Sequence, residues 1–575
     1  MYSNLTINNC YNKAEITTPA PTGGILGYAI NASKIIINGS YNKGAITSQA
    51  HTAGILGYAT NDITIEINNC YNEGEIKASA HAGGILAFCG GGTITTNIRD
   101  SYNKGTVTST DGFAGGILAY VSEASSAKIE ISNCYNESEI KAKAYAGGIL
   151  TYCNVGTVTA KISGSYNIGA VTSSQAPTAG ILGYVTATND VVIEISNCYN
   201  EGEITTPAPA GGILAHCSST EGTVTANIRG GYNKGTITST GNHVGGILGY
   251  ATNVSKITID GTYNDGKITS NADYDKSTGG IVGFTSGTEM NISNSYNTKE
   301  IISQNTPIGG IVALTEITKL NIHNCHNEGT ITGKNNVAGG IAGRLKGEGK
   351  TIITSSYNIA TVTNDGPTGG IVGGSISSIT INDCYNDGEM TSNGGAEAGG
   401  IIAYASNNLT INRCYNSNII TTYIACKGGI VGNCRGTTTS IADCYNTGTI
   451  NDSRFSTTND IDMLGYRGGI LGANDSTNIT LTRCYNAGKV ATKGYGDVKG
   501  RSIVGNIGKA STSDFTNTFY IYFNDMLFTD SFAKEKTKAE MQTDEFLEEL
   551  KGSANNTAWK RDPKKNDGMP ILSWQ

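Results

Sequence analysis

Cysteine is the residue type with the clearest chemical potential in this chain, which contains fourteen of them in 575 residues. Nine stand directly before a Tyr-Asn or His-Asn pair, and four of the other five follow such a cysteine by 19 or 20 residues. Because the second cysteine never occurs without the first, the spacing predicts four disulfides within repeats. The alternative, which the spacing leaves open, is that these cysteines are small buried apolar residues. The predicted pairs are Cys70–Cys89, Cys134–Cys153, Cys198–Cys217 and Cys414–Cys434.

Other catalytic and metal-binding patterns are scarce. The six histidines never join cysteines at the close spacing of a structural zinc site, and charged residues follow the repeat instead of clustering. A nucleophile elbow, a phosphate-binding Gly-Lys loop and a calcium-binding nonapeptide are all missing from the sequence. We therefore expect neither enzymatic activity nor a cofactor or metal. The alternative within this fold class is a β-helix polysaccharide lyase or hydrolase.

Tyrosine offers a second kind of chemistry, because the chain contains 30 tyrosines but only 2 tryptophans. Six tyrosines follow a Gly-Ile-Leu-like stretch in one register, and they are Tyr28, Tyr58, Tyr120, Tyr152, Tyr184 and Tyr250. Such a column of rings can stack on itself, or it can present an aromatic strip to sugars or protein partners. Self-stacking is the simpler interpretation of this spacing.

One repeat is longer than the others and predicts a surface loop. The distance from Tyr445 to Tyr485 is 40 residues, and the surplus lies within 451–466. A solenoid extrudes such insertions from its coils, and binding residues concentrate in loops. Its candidate ligand residues are Arg454, Phe455, Asp460 and Asp462, a set suited to a polar ligand or a calcium ion. The alternative is an insertion that the fold simply tolerates.

A repeat must position all of these residues. Sixteen Tyr-Asn phrases, one of them with His326 in place of Tyr, recur mostly every 28–33 residues. Each repeat holds three short apolar stretches between Asn- and Gly-rich turns, and Ile63, Ile65 and Ile67 alternate with the period of a strand. We therefore predict an all-β fold over residues 1–515, namely a parallel right-handed β-helix of about 16 coils.

Stacked positions support this register. The residue after Tyr-Asn tends to alternate in charge between neighbouring repeats, as Lys43 and Glu73 do. The asparagines, such as Asn42 and Asn72, predict a ladder of amide hydrogen bonds. The glycine two residues after most of these asparagines, for example Gly74, predicts a tight corner with positive φ.

Residues 516–575 differ in character and predict a small α/β cap. Thr537 and Glu540 form a potential capping box for a helix over about 537–550. Apolar residues of this segment would cover the last coil, since an open solenoid end exposes the core and unpaired strand edges. They are Met541, Phe546, Leu547 and Leu550.

Composition excludes several classes of partner. The net charge is −7 with no basic stripe, so we expect no nucleic-acid binding. No apolar stretch reaches 18 residues, so we expect no direct insertion into a membrane. The chain begins inside a repeat and lacks a signal peptide, which predicts a piece of a longer precursor.

The repeat resembles a known family. The phrase Gly-Gly-Ile-Leu-Gly-Tyr, an Ile-rich strand and then Cys/Ser-Tyr-Asn-x-Gly-x-Ile-Thr resemble the GLUG-type repeat over residues 5–510, and Pro570-Ile-Leu-Ser-Trp574 resembles the closing segment of such arrays. The resemblance implies a bacterial secreted or cell-surface protein, with Gram-positive anaerobes as the source. It implies an adhesin or rigid stalk that binds a host or environmental glycan or protein and is attached through domains outside this sequence. A structural filament subunit is a further alternative.

Overall fold

The computed structural model describes residues 3–271, 276–423, 425–452, 465–491, 500–508, 510, 512–523 and 531–575. The chain forms two compact units, Met1–Glu300 and Ile301–Gln575, which we call the N-terminal and C-terminal units. The predicted insertion residues Arg454, Phe455, Asp460 and Asp462 lie outside the described residues. No helix in the described ranges is long and apolar enough to cross a membrane.

A single coil of the N-terminal unit shows how the repeat folds. Its strands are Ile63–Asn68, Tyr71–Asn72, Ile76–Ala78, Ala82–Gly83 and the long Leu86–Arg99, whose second half belongs to the next coil. All inter-coil pairing around this coil is parallel.

The predicted alternation along the first of these strands is confirmed. Ile63, Ile65 and Ile67 are at most 1% exposed, whereas Thr64 and Glu66 between them are half-buried. The alternating isoleucines therefore form the core of the coil. The coils before and after it pair with its strands and cover the ends of this core.

The Tyr-Asn phrases form two-residue strands that stack in register and mark sixteen coils. In the N-terminal unit they are Tyr11–Asn12, Tyr41–Asn42, Tyr71–Asn72, Tyr102–Asn103, Tyr135–Asn136, Tyr166–Asn167, Tyr199–Asn200, Tyr232–Asn233, Tyr263–Asn264 and Tyr296–Asn297. In the C-terminal unit they are His326–Asn327, Tyr357–Asn358, Tyr385–Asn386, Tyr415–Asn416 and Tyr445–Asn446, followed by Asn478–Asn486, which contains the last phrase. Both units are thus parallel β-solenoids, as predicted.

The remaining strands occupy the other sides of each coil. In the N-terminal unit the strands that carry the Leu-x-Tyr segment are Leu26–Ile30, Leu56–Thr60, Leu86–Arg99, Leu118–Ser132, Leu150–Val155, Leu182–Ala187, Leu214–Ser219, Leu248–Asp260 and Val282–Ser293. In the C-terminal unit the corresponding strands are Val312–His323, Ala342–Leu345, Val372–Ser375, Ile402–Ala405, Val431–Cys434, Leu471–Asn474 and Val504–Asn506. The short strands after each Tyr-Asn phrase of that unit are Ile331–Thr332, Val362–Asn364, Met390–Ser392, Ile420–Thr422 and Ile450–Asp452.

The predicted amide ladder is present in both units. The Asn42 Nδ2 atom donates to Asn72 Oδ1 at 2.7 Å and to the Gly44 carbonyl at 2.8 Å. The same side-chain pair of bonds recurs from coil to coil, and apart from Asn12 in the first coil these asparagines are 0% exposed. Since a buried amide without partners is costly, the ladder makes each coil depend on its neighbours.

The predicted charge alternation also yields ion pairs. Lys43 Nζ lies 2.9 Å from a Glu73 carboxylate oxygen, and Lys104 Nζ lies 3.1 Å from one of Glu137. These side chains are about a third or more exposed, so they set register more than they add stability.

The predicted positive φ at the glycine two residues after Tyr-Asn was wrong. Gly74 has no positive φ; instead, a Cβ atom there would lie 2.1 Å from the Gly44 carbonyl oxygen of the preceding coil. Glycine is needed because two backbones approach closely. The positive φ falls elsewhere in the coil, at the residue before the Cys or Ser that precedes Tyr-Asn, such as Asn69 at φ 52°.

The cap begins later than predicted. The strand Thr512–Ile521 pairs in parallel with Asn478–Asn486, so the predicted boundary at 515 falls inside a strand of the solenoid sheet. Lys534–Lys536 adds to the same sheet, and helices α1 (Lys538–Met541) and α2 (Asp544–Lys551) follow. An antiparallel pair, Trp559–Arg561 with Pro570–Leu572, ends the chain, with a short 3-10 turn at Asn566–Gly568 between them.

The predicted helix is two helices, and the predicted capping box is confirmed at the first. Glu540 N–H donates to Thr537 Oγ1 at 3.2 Å, and Thr537 N–H donates back to the Glu540 carboxylate at 2.7 Å. Met541, Phe546 and Leu550 are buried as expected, and Leu547 packs beside them. They form one core with aromatic rings on the side of the solenoid, so the cap packs along the Tyr-Asn edge of the last coils.

Candidate functional site

The predicted disulfides are absent from the structure, in which all fourteen cysteines are described as free thiols. Cys70 donates to the Asn68 carbonyl at 3.3 Å, whereas Cys89 pairs with the Thr96 hydroxyl at 3.7 Å. Burial raises the pKa of Cys70 to about 11 and that of Cys89 to about 12. The structure therefore supports the alternative interpretation, in which Cys70, Cys89, Cys134, Cys153, Cys198, Cys217, Cys414 and Cys434 are buried core residues.

The cysteines before Tyr-Asn have a shared hydrogen-bonding role. The Cys70 N–H donates to Ser101 Oγ in the next coil at 3.1 Å, and the Cys384 N–H donates to Cys414 Sγ at 3.4 Å. Each such thiol or hydroxyl also donates to the carbonyl two residues earlier, as Ser101 does to Arg99. Cysteine and serine can replace each other at this position because both are small side chains able to make these two contacts.

Thiol labelling tests this assignment. In native protein at about pH 8, iodoacetamide should modify exposed Cys10 first and half-buried Cys426 more slowly, because the other thiols are buried and thiolates are the reactive species. After denaturation without reductant, all fourteen cysteines should react. A reduced sample is the control. Recovery of a cross-linked peptide such as Cys70–Cys89 from unreduced protein would contradict the assignment.

The predicted tyrosine column exists in the N-terminal unit and stacks on itself. Tyr28 and Tyr58 lie 5.2 Å apart, and Tyr152 and Tyr184 lie 5.1 Å apart between ring centroids. The described column runs through Tyr28, Tyr58, Phe88, Tyr120, Tyr152, Tyr184, His216, Tyr250 and Phe284. Self-stacking is confirmed, and ligand binding by this column stays a prediction.

A second set of rings, which the repeat pattern did not reveal, packs against this column. Its members come from the turn before the next two-residue strand, such as Ala82–Gly83 or Val244–Gly245, and are His51, His81, Phe113, Tyr145 and His243. Phe113, for example, lies 4.6 Å from Tyr152 and 4.8 Å from Tyr120. Most of these rings are thereby covered, and Tyr28 in the first coil is the most exposed at 52%.

The C-terminal unit contains a candidate binding surface where the cap meets the stacked tyrosines. Its Tyr-Asn tyrosines stack face to face, with Tyr385–Tyr415 at 5.0 Å and Tyr415–Tyr445 at 4.9 Å. The end of the cap lies beside these rings and leaves an open cleft of about 520 Å³, which we call the Trp574 cleft. Its lining comprises Tyr385, Asp387, Tyr415, Ser417, Tyr445 and Thr447 from the solenoid, and Lys565, Asn566, Ile571, Trp574 and Gln575 from the cap.

Trp574 is the exposed aromatic surface of the cleft. Its ring lies 5.9 Å from both Tyr385 and Tyr415, at interplanar angles of 28° and 24°. It is 38% exposed, whereas Tyr415 is 9% and Tyr445 2% exposed. The tyrosines therefore stack against Trp574, and the tryptophan is more exposed than Tyr415 and Tyr445.

Polar groups lie beside this ring. The Asp387 carboxylate accepts a hydrogen bond from the Ser417 hydroxyl and a longer one, at 3.5 Å, from the Tyr415 hydroxyl. Burial raises the pKa of Asp387, and both hydrogen bonds oppose the rise. Tyr445 and Gln575 exchange hydrogen bonds of 2.8–3.1 Å, which hold the end of the chain in place.

The second tryptophan, Trp559, anchors the cap to a charged pair of the solenoid. Arg483 makes a bidentate pair with Asp443 at 2.7 and 2.8 Å, and Trp559 Nε1 donates to the same carboxylate at 2.9 Å. Trp574 Nε1 donates to the Arg413 carbonyl at 3.3 Å. Because bidentate pairs have fixed geometry, these contacts fix the position of the cap on the tyrosine edge.

The sequence analysis did not predict this cleft, although the residues directly after Tyr-Asn indicate its position. The position directly after Tyr-Asn holds a long or charged residue in most coils, such as Lys234 or Glu328. In the last three coils it holds Ser417, Thr447 and Ala487. These short side chains leave room beside the tyrosines, and the cap occupies that room.

The fold and this cleft define the protein as a parallel β-solenoid with a laterally docked C-terminal cap. A comparison with protein-family models found no match, and comparisons with curated proteins and with solved structures found no significant match either.

Proposed function

We propose that this protein is an extracellular surface repeat protein of the GLUG type, in which the solenoid is a stiff scaffold that acts as adhesin or spacer. The observation that carries the proposal is the register of the Tyr-Asn strands, which pair residue for residue from coil to coil within each unit. Every described coil is joined to its neighbours by backbone, amide and ring ladders at once. Contacts of this kind run only between adjacent coils, and they stiffen each unit.

The chemistry of the surface supports a binding role more than a catalytic one. Hydrolysis of a glycoside normally requires two carboxyl groups that flank the bond. The Trp574 cleft has one side-chain carboxyl group, Asp387, among its described lining residues. No described group of three or more His, Cys, Asp or Glu residues is arranged to hold a metal ion. A glycan or a protein on a neighbouring surface is the partner that we propose.

Free thiols are compatible with an extracellular location. Apart from Cys10 and Cys426, the cysteines are buried, and for the described thiols with a shifted pKa burial raises it. Thiols that are buried and protonated react slowly with oxidants. The lack of disulfides is thus accounted for by packing.

Surface labelling of intact source cells tests the location. An antibody against the solenoid should stain cells that have not been permeabilised, and external protease should remove the signal. A cytoplasmic protein of the same cells is the control for leakage. Staining that appears only after permeabilisation would overturn the proposal. An array of glycans and surface proteins probed with the purified chain then identifies the class of partner.

A further inference from the structure

We propose that the Trp574 cleft is a carbohydrate-binding site that takes a short oligosaccharide with at least one pyranose ring. This inference deepens the proposed adhesin role, on which it rests, by naming a site and a ligand class. The cleft volume of about 520 Å³ lies within the range of small-molecule sites.

The aromatic part of the cleft suits the apolar C–H face of a sugar ring. Trp574 is 38% exposed, while the faces of the neighbouring tyrosines are covered by one another. Its indole N–H is already bonded to the Arg413 carbonyl. The ring is therefore held in place before a ligand arrives, so little side-chain entropy is lost on binding.

The polar part of the cleft suits sugar hydroxyls. An ionised carboxylate has about four acceptor sites, and Asp387 uses two of them, for Ser417 and Tyr415. The remaining acceptor sites of Asp387 and the hydroxyl groups of exposed Ser417 and half-buried Thr447 line the same cleft. Hydroxyl groups both donate and accept, so a neutral polyol satisfies this mixture.

Charge disfavours other ligands of this size. The side chains of the described lining include one carboxylate, Asp387, and one ammonium group, Lys565, which donates to the main-chain oxygen of Gln575. A phosphate or carboxylate ligand would face Asp387 without an unengaged cation opposite it, and a cationic ligand would face Lys565. A neutral saccharide avoids both penalties.

Titration of the full chain with oligosaccharides tests the inference. The probes are gluco-, manno-, galacto- and N-acetylglucosamine oligosaccharides of two to four units, followed by calorimetry and by tryptophan fluorescence. Only Trp574 should respond, because Trp559 is 3% exposed. We expect at least one series to bind, and Trp574→Ala to weaken its binding about tenfold or more, as truncation of a central aromatic contact does. Asp387→Asn should weaken binding less, because the amide keeps one acceptor.

Two control variants distinguish binding at this site from non-specific binding and from misfolding. Tyr28→Ala removes a ring that is 52% exposed in the other unit and should leave binding unchanged. Trp574→Phe keeps an aromatic ring and should restore part of the affinity lost in Trp574→Ala. Absence of binding to every probe, or equal binding by wild type and Trp574→Ala, would overturn the inference. Either result leaves the surface location, tested by cell labelling, unaffected.

Discussion

Replacing Gly116 with alanine is expected to unfold the N-terminal unit or to lower its free energy of unfolding by about 3 kcal/mol or more. A Cβ atom at this position would lie 2.1 Å from the Gly148 carbonyl oxygen and 2.7 Å from Asn136 Cβ. Both neighbours belong to the ladders that join successive coils, so neither can move without breaking hydrogen bonds. Chemical denaturation followed by circular dichroism measures the effect.

The matched control is Gly231→Ser in the same unit. Gly231 occupies the position that Ser101 and Ser165 fill in other coils, directly before Tyr-Asn. The Ser165 hydroxyl accepts the Cys134 N–H at 3.1 Å, and a serine at 231 would accept the Cys198 N–H in the same way. A Cβ atom at 231 would lie 2.8 Å from the Cys198 carbonyl oxygen, with its next contacts at 3.9 Å, so we expect a loss of stability much smaller than that of Gly116→Ala. Equal stability of Gly116→Ala and Gly231→Ser would show that the close backbone approach at Gly116 is not a constraint.

Acid is expected to destabilise the N-terminal unit well above the pH at which carboxylates titrate. Burial among rings lowers the pKa of His51 and His216 to about 4, and that of His81 and His243 to about 3. In the unfolded chain a histidine binds its proton near pH 6.5, so between about pH 4 and 6.5 these four histidines are neutral in the folded protein but protonated in the unfolded chain. Their stabilising contribution is complete above pH 6.5 and is lost as the pH falls towards 4. Each histidine lowers the free energy of unfolding by up to about 1.4 kcal/mol per pH unit.

Other coils supply the control substitutions for this effect. The rings Phe113 and Tyr250 occupy the positions that correspond to His81 and His216 in neighbouring coils. The double variant His81→Phe, His216→Tyr should keep the packing and remove about half of the pH dependence between pH 6.5 and 4.5. Urea denaturation at several pH values measures the slope. An identical slope in the double variant and the wild type would contradict this origin of the acid sensitivity.

The coil itself was predictable from the sequence because its determinants are local. Alternation at Ile63, Ile65 and Ile67 predicts a strand with one buried face, and the recurrence of Asn42 and Asn72 predicts an amide ladder. Even so, the function of a repeated residue was harder to predict than its location. Gly74 was correctly placed at a corner, but its role is close backbone approach, which depends on the preceding coil.

Pairing between cysteines was not predictable from co-occurrence alone. Cys70 and Cys89 occur together, yet each thiol is satisfied by other groups, Cys70 by the Asn68 carbonyl and Cys89 by Thr96. A two-coil duplication gives the same spacing as a disulfide would. Which side chains meet inside a coil depends on how the strands turn, and periodicity carries no information on that.

The sequence by itself determined the repeat length, the parallel β-solenoid and the register of its ladders, because each depends on residues that recur in every coil. Only the tertiary structure decided where the cap lies and that Trp574 stands beside Tyr385 and Tyr415, since these contacts join segments about 160 to 190 residues apart. The solenoid has several similar edges. The cap packs on the Tyr-Asn edge, where the short side chains of Ser417 and Thr447 leave space. The cap lies on this edge because the side chains there are small and because Trp559 bonds to Asp443. The cleft with its exposed tryptophan follows from this packing.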